Sequence, residues 1–261
     1  MTNYQMLWTG FYGLLRKEFN RFLRIWPQTL LPPAITLILY FLVFGKIMGA
    51  RVGLVNGVSY LDFITPGLIM MPIMINAYMN VVSSFFSAKF TRSIEELLVS
   101  PMPDWIIILG YCAGGVGRAM LVGGIGLVLG LVFAGVHIVH PVLMILVALI
   151  ASLMFSLGGF LNGLFSKTFD DTTIITTFVL SPLIYLSGIF YSVDQLPGFW
   201  REVSLFNPLH YFIDIFRYSM LGGSASSGGH IKISFLIIIL FTLFLLFFNL
   251  ILMRRSAGLR G

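Results

Sequence analysis

Two rows of uncharged polar residues carry the most regular chemistry in this chain. Asn76, Asn80, Ser84 and Ser87 follow at steps of four, four and three, and Thr173, Thr177, Ser181 and Tyr185 at steps of four. On a helix each row falls on one face. Amides and hydroxyls donate and accept hydrogen bonds, but they do not act as nucleophiles without a positioned base. In an apolar setting such a row has two uses. It joins helices through hydrogen bonds of about 0.6–2 kcal/mol each, or it lines a path for a polar solute. Spacing alone leaves both open.

Little else in the sequence could react. His137 and His140 would be two metal ligands at most, so no metal centre is expected. Asp170 and Asp171 beside Lys167 read as a solvated turn. Cys112, the single cysteine, excludes an intrachain disulfide and any zinc site built from cysteines. No G-x-x-x-x-G-K-[ST] run occurs, so the sequence holds no Walker-type phosphate cradle and needs no cofactor of its own. Any ATP must be hydrolysed on another polypeptide. Gly110 and Gly114, Gly126 and Gly130, and Gly159 and Gly163 are spaced for close helix packing.

Those residues sit in a membrane protein. The 261 residues are 58% hydrophobic and only 10% charged, against about 45–50% and 25% in soluble domains. The net charge of +6 does not mark a nucleic-acid binder, because the basic residues lie at the ends of apolar runs and not in one patch. A bilayer core needs about 20 apolar helical residues. Six segments satisfy this: 28–49, 63–86, 105–135, 141–165, 172–191 and 232–253. Runs of this length exclude barrel strands, so the expected fold is all-α and polytopic. No cleaved signal peptide is expected; the first span drives insertion.

With the N-terminus inside, the inner segments hold Arg16, Lys17, Arg21, Arg24, Lys89, Arg92, Lys167, Arg254, Arg255 and Arg260. The outer ones hold Lys46, Arg51, Arg201, Arg217 and Lys232. That bias places both termini in the cytoplasm. Arg118 alone lies at depth, where it either snorkels to the inner interface or faces the bundle interior. No Asp or Glu lies well inside a span, which argues against a proton- or sodium-coupled carrier. The absence of a catalytic group argues against a membrane transferase.

Three segments outside the spans carry pattern. In residues 1–27, Leu7, Trp8, Phe11, Leu14, Leu15, Phe22 and Ile25 oppose Arg16, Lys17, Arg21 and Arg24, as in an amphipathic helix lying in the cytoplasmic interface. Such a helix anchors on membrane lipid and can also touch a cytoplasmic partner. Residues 88–101 form a short inner helix with an apolar edge of Ile94, Leu97 and Leu98, an Arg92–Glu96 i,i+4 pair, and a stop at Pro101 and Pro103. This suits docking into a partner's groove. Residues 192–231 make a long outer segment crowded with Leu196, Phe199, Trp200, Leu205, Phe206, Leu209, Tyr211, Phe212, Ile215 and Phe216. It is too apolar to stand free in water, so it is expected to dip back into the outer leaflet or cap a pore. Gly222–Gly229 then reads as a flexible connector.

Residues 180–217 resemble the signature of the ABC-2 type permease family. Leu180, Leu183, Leu186, Ser187 and Ile189 take its small and apolar positions. Leu196-Pro197 follows, then after ten residues Pro208-Leu209-His210-Tyr211, and after five more Arg217. The resemblance extends in element order over nearly the whole chain. It implies a single membrane domain over 1–261, like that of type V exporters. Its parts would be an interfacial helix (1–27), spans one to five (28–191), a re-entrant outer segment (192–231) and a last span (232–253). It further implies a homodimer in the bacterial inner membrane, bound to two copies of a separate ABC ATPase that holds the ATP and Mg.

By that resemblance Arg92, Ile94, Glu95, Glu96, Leu97, Leu98, Ser100 and Pro101, with Arg16 and Lys17, couple to the ATPase. Asn76, Asn80, Ser84, Ser87, Thr173, Thr177, Ser181 and Tyr185 border the path, and Pro208, Tyr211 and Arg217 belong to an outer gate. Related permeases export polysaccharides, lipid-linked glycans, nodulation-type oligosaccharides or hydrophobic drugs. The rival reading, a membrane scaffold without transport of its own, explains the spans and the docking helix but not residues 180–217.

Overall fold

A computed structural model of the chain describes residues 3–100, 102–224 and 231–255. Pro101, Arg260 and residues 225–229 of the expected connector lie outside them. Among the described residues, five helical segments are long and apolar enough to cross a membrane: Trp26–Gly45, Tyr60–Phe90, Asp104–Ala134, Pro141–Phe165 and Ile231–Arg254.

The chain opens with α1 (Asn3–Arg24), bends at Ile25 and continues as α2 (Trp26–Tyr40). A π-helical stretch over Phe41–Met48 and the short α3 (Gly49–Val52) follow it. A two-stranded hairpin follows, β1 (Leu54–Val55) antiparallel to β2 (Val58–Ser59). Its Asn56-Gly57 turn has positive φ at both residues, 50° and 82°, as tight hairpin turns of this type demand.

α4 (Tyr60–Phe90) is the axis of the fold. Ser59 caps it by accepting from the Asp62 amide at 3.2 Å. α6 (Asp104–Ala134) and α7 (Pro141–Phe165) pack along it. Glycines make this closeness possible. A Cβ on Gly159 would strike the Tyr78 carbonyl of α4, and one on Gly115 would strike Val81 at 2.7 Å and the Ala77 carbonyl at 2.9 Å. Leu68, Met70, Met74, Phe155 and Phe216 fill the space between the helices. α12 (Ile231–Arg254) closes the bundle and shows Leu240, Leu243, Phe244 and Phe247 outward, as expected of a helix facing lipid rather than water.

The expected fifth crossing does not form the single run of 172–191, and it is not among the five helices long and apolar enough to span. It is built from α8 (Phe169–Ile175), a π-helical stretch (Thr176–Leu180) and α9 (Ser181–Tyr185), so the helix stops at Tyr185. Pro182 removes one amide from the ladder, and the wider π turn absorbs the gap. Beyond it Ser187 turns its hydroxyl back to the Ile184 carbonyl, and Gly188 adopts φ +83°. A continued helix is impossible there.

Over its described residues, the apolar segment 192–231 is chiefly a pair of helices. α10 (Gly198–Phe206) and α11 (Pro208–Leu221) meet at Asn207. Its carboxamide accepts from the Leu209 amide at 3.0 Å and donates to the Leu183 carbonyl at 2.6 Å. α11 packs against α4, α7 and α12. Its Phe212, Ile213, Ile215 and Phe216 are buried in the main core, which accounts for the apolar composition of this segment.

Candidate functional site

The short helix α5 (Ser93–Val99) is reached through a left-handed turn at Arg92, with φ 57° and ψ 8°. Arg92 therefore precedes the helix, and the expected Arg92–Glu96 pair does not form: the two ion pairs among the described residues are Arg21–Glu18 and Arg201–Asp194. The i,i+4 rule holds only when both residues lie within one helix. Ile94 is buried beside Phe85, Ala88 and Ile107, and Leu97 packs on the same cluster. These two fasten α5 to the body of the protein. Glu95, Glu96, Leu98 and Val99 remain exposed, and Ser100 closes the helix by bonding the Leu97 carbonyl at 2.6 Å. α5 is thus a fixed platform with an outer face of two acids and two aliphatics. Lys89 stiffens its base by donating to the Leu164 and Ser166 carbonyls at 2.7 and 3.0 Å.

The two polar rows go different ways. Asn76, Asn80 and Ser84 of α4 are buried, and Ser87 is exposed. The Asn76 amide group bonds the Pro72 carbonyl of its own helix at 2.9 Å. Asn80 and Ser84 bond α1. In the fifth crossing Thr173, Thr177 and Tyr185 lie on the surface and Ser181 is half-buried, its hydroxyl on the Thr176 carbonyl at 3.0 Å. Within one protomer the two rows do not face each other.

The partner of the α4 row is a carboxylate that the sequence reading passed over. Glu18 is fully buried. One of its oxygens accepts from Ser84 Oγ at 2.6 Å and the other from Arg21 Nη2 at 3.2 Å. Arg21 Nη2 also donates to Asn80 Oδ1 at 2.8 Å and to the Asn80 carbonyl at 3.0 Å. The available signal was that Glu18 is the one acid before Asp62, set in an otherwise basic helix. Small residues let it approach: Gly110 receives Leu14, Gly114 receives Glu18 and Gly117 receives Phe19. α1 therefore runs alongside α6, with Leu14, Glu18 and Phe22 inward. Its apolar face is divided between protein and surroundings, since Trp8, Tyr12 and Leu23 stay exposed together with Arg16 and Lys17.

At the other end, Arg217 joins three pieces of chain. Its Nε donates to the Phe63 carbonyl at 3.1 Å and its Nη2 to the Gly188 carbonyl at 2.8 Å, with the guanidinium 4.0 Å from the centre of the Phe63 ring. Tyr211 donates to the Leu205 carbonyl at 2.7 Å, tying α11 to α10. Pro208 opens α11 and, with Leu183, Leu209 and Phe241, lines an apolar cavity of about 360 Å³ between α7, the fifth crossing and α12. His210 meets the Ser187 carbonyl at 3.3 Å. The spaced residues of 180–217 thus clasp the turn after the fifth crossing onto α11.

The remaining candidates are structural. Asp171 forms a capping box with Thr168, its carboxylate accepting from the Lys167 and Thr168 amides at 2.9 Å each. His140 stacks on Tyr218 at 5.5 Å while its amide bonds the Ser219 carbonyl. No group of three or more potential metal ligands occurs among the described residues.

Comparison with known proteins follows the same lines. The profile of the ABC-2 type transporter family matches residues 9–221. The chain is 50% identical over 217 residues to the inner membrane transport permease YadH of Escherichia coli K12, covering 83% of this chain and 85% of that protein. It is 30% identical over 187 residues to nodulation protein J of Rhizobium leguminosarum bv. viciae, covering 71% and 72%. Against nodulation protein J of Neorhizobium galegae the identity is 25% over 213 residues, 79% of each chain.

Proposed function

The chain belongs to the ABC-2 type transporter family, and from that premise we propose that it is the permease subunit of an ATP-driven exporter of the bacterial inner membrane. It works as a homodimer, with both termini cytoplasmic, beside two copies of a separate ATPase subunit that carries ATP and Mg. The observation that carries this reading is α5, whose inner face is fastened to the protein while Glu95, Glu96, Leu98 and Val99 are left to an outside partner. A helix held on one side and bare on the other transmits a push.

The path runs along the outward row Thr173, Thr177 and Tyr185, completed by the second protomer. The buried Asn76, Asn80 and Ser84 brace the helix behind it, and Ser87 meets the path at its inner end. Pro208, Tyr211 and Arg217 hold the outer seal. The substrate is a glycan, a lipid-linked glycan or an amphipathic drug-like molecule, since hydroxyls alternating with aromatic and aliphatic groups suit each.

The test is co-expression with the neighbouring reading frames, purification in detergent and an ATPase assay. A stoichiometric ATPase partner whose turnover depends on this subunit supports the exporter; a homodimer that retains no ATPase sinks it. The double change Glu95→Ala, Glu96→Ala is expected to lower substrate-stimulated ATPase activity about tenfold, the size of a coupling term of 1–2 kcal/mol, while the dimer still assembles. Unchanged stimulation removes the docking role. Thr177→Trp is expected to cut transport by about tenfold or more with assembly intact, because the side chain is exposed and no packing opposes it. Normal export by that variant takes Thr177 off the path.

A further inference from the structure

Charges inside a membrane protein are paired with one another, with carbonyls or with water. Glu18 and Arg21 follow this rule; Arg118 does not. It makes no hydrogen bond and no ion pair among the described residues, and its Nε is buried without a partner. The terminal nitrogens of the half-buried side chain reach the surface. Both oxygens of Glu18 are already engaged, one by Ser84 and one by Arg21. Arg21, of the same sign, lies near enough to act on Arg118, and Arg21 also keeps a buried Nε without an acceptor. Where α1, α4 and α6 meet there is one positive charge in excess.

The place of that excess is informative. Leu14 lies at Gly110 and Glu18 at Gly114, so Arg118 comes one turn further along, level with Phe22 and just before the bend at Ile25. Leu23, Ile25 and Trp26 are all exposed at that bend. A tryptophan beside exposed aliphatics marks the headgroup level of a bilayer, and basic pockets between helices at that level take lipid headgroups.

We propose that Arg118 and Arg21 form a phosphate site that holds the headgroup of an acidic phospholipid in the leaflet beside α1. One singly charged phosphodiester cancels the excess, the open end of Arg118 offers it a forked pair of donors, and the acyl chains lie on Leu23, Ile25 and Trp26. The site needs no transport substrate and stands whether or not the chain exports anything. It fixes the bend between α1 and α2, and so the depth at which α1 sits.

The full-length protein, purified in mild detergent, tests this by thermal melting and native mass spectrometry after addition of phosphatidylglycerol, phosphatidylcholine or inorganic phosphate. The expected result is retention of phosphatidylglycerol with a raised melting temperature, weakened roughly fivefold to tenfold in Arg118→Gln, as for the loss of about 1 kcal/mol or slightly more of headgroup attraction. Arg118→Lys keeps the charge without the fork and is expected to fall between the two; it also serves if Arg118→Gln fails to assemble. Arg201→Gln, which removes an exposed charge from α10, is expected to bind as wild type. Equal binding by wild type and both Arg118 variants overturns the site, as does a loss confined to the Arg201 variant. Stabilisation by inorganic phosphate with no preference for phosphatidylglycerol overturns the lipid assignment.

Discussion

Gly159→Ala is expected to abolish folded, detergent-stable protein. A Cβ at this position would collide with the Tyr78 carbonyl and approach the Tyr78 Cα at 3.2 Å. The obstruction is backbone on the central helix, so no rotamer change relieves it. α7 must instead move off α4, and with it Phe155 and Met154, which pack on the core that also holds Met74 and Tyr78. Overpacking of a tight core costs about 1–3 kcal/mol, occasionally more, and here the displaced contact is the seam on which α11 and α12 also rest. The neighbouring Gly158 provides the control, since a Cβ there makes ordinary contact with the Tyr78 ring at 3.5 Å. Size-exclusion profiles of fluorescent fusions should show a monodisperse peak for Gly158→Ala and none for Gly159→Ala. Equal peaks would mean that the α4–α7 seam is not the one described.

Glu18→Ala is expected to lower stability by about 3 kcal/mol, the low end for breaking a buried pair. The low end applies because the Arg21 side chain keeps 31% of its surface and can be partly rehydrated. Ser84 loses its acceptor as well. Glu18→Gln keeps the acceptor for Ser84 and removes only the charge, so it is expected to lose less than the alanine variant. Melting temperatures of the single and double variants at Glu18 and Ser84 check the linkage. Residues in direct contact should couple, so the double variant must be less damaging than the two single losses summed. Strict additivity would dissolve the network. If α1 relays movement from a cytoplasmic partner to α4, the same variants should also weaken ATPase stimulation, and restoring stability with lipid should not restore it.

Much of the fold was legible because a membrane span is a local property. Twenty apolar residues declare themselves without reference to any partner, and α4, α6, α7 and α12 lie where hydropathy put them. Helix ends were legible where a proline or a cap spoke locally, as at Pro103 before α6 and Pro141 at the start of α7. The segment expected as the fifth span folds instead as short helical pieces joined by a π turn. Whether Pro182 yields a kink, a stop or a π turn depends on what the freed carbonyls find nearby. The outer segment was read as a loop too apolar for water; its composition was right, and the reason for it is that α11 is core.

The candidate site divides along the same line. The apolar edge of α5 was visible as a pattern, but a pattern cannot say which member faces inward. Ile94 and Leu97 turned to the protein and Leu98 to the outside. A row of Asn and Ser reads the same whether its hydrogen bonds end on a substrate, on a second protomer or on a carboxylate 66 residues away, as Ser84 does on Glu18. What the sequence by itself determined was the set of apolar segments that must leave water and that no Walker-type run occurs in it, because these follow from a few consecutive residues. Only the tertiary structure decided which polar groups meet, which glycines carry a crossing and which arginine is left without an acid. Those are pairings between distant residues, and each is settled by the geometry of packed helices rather than by anything either residue shows alone.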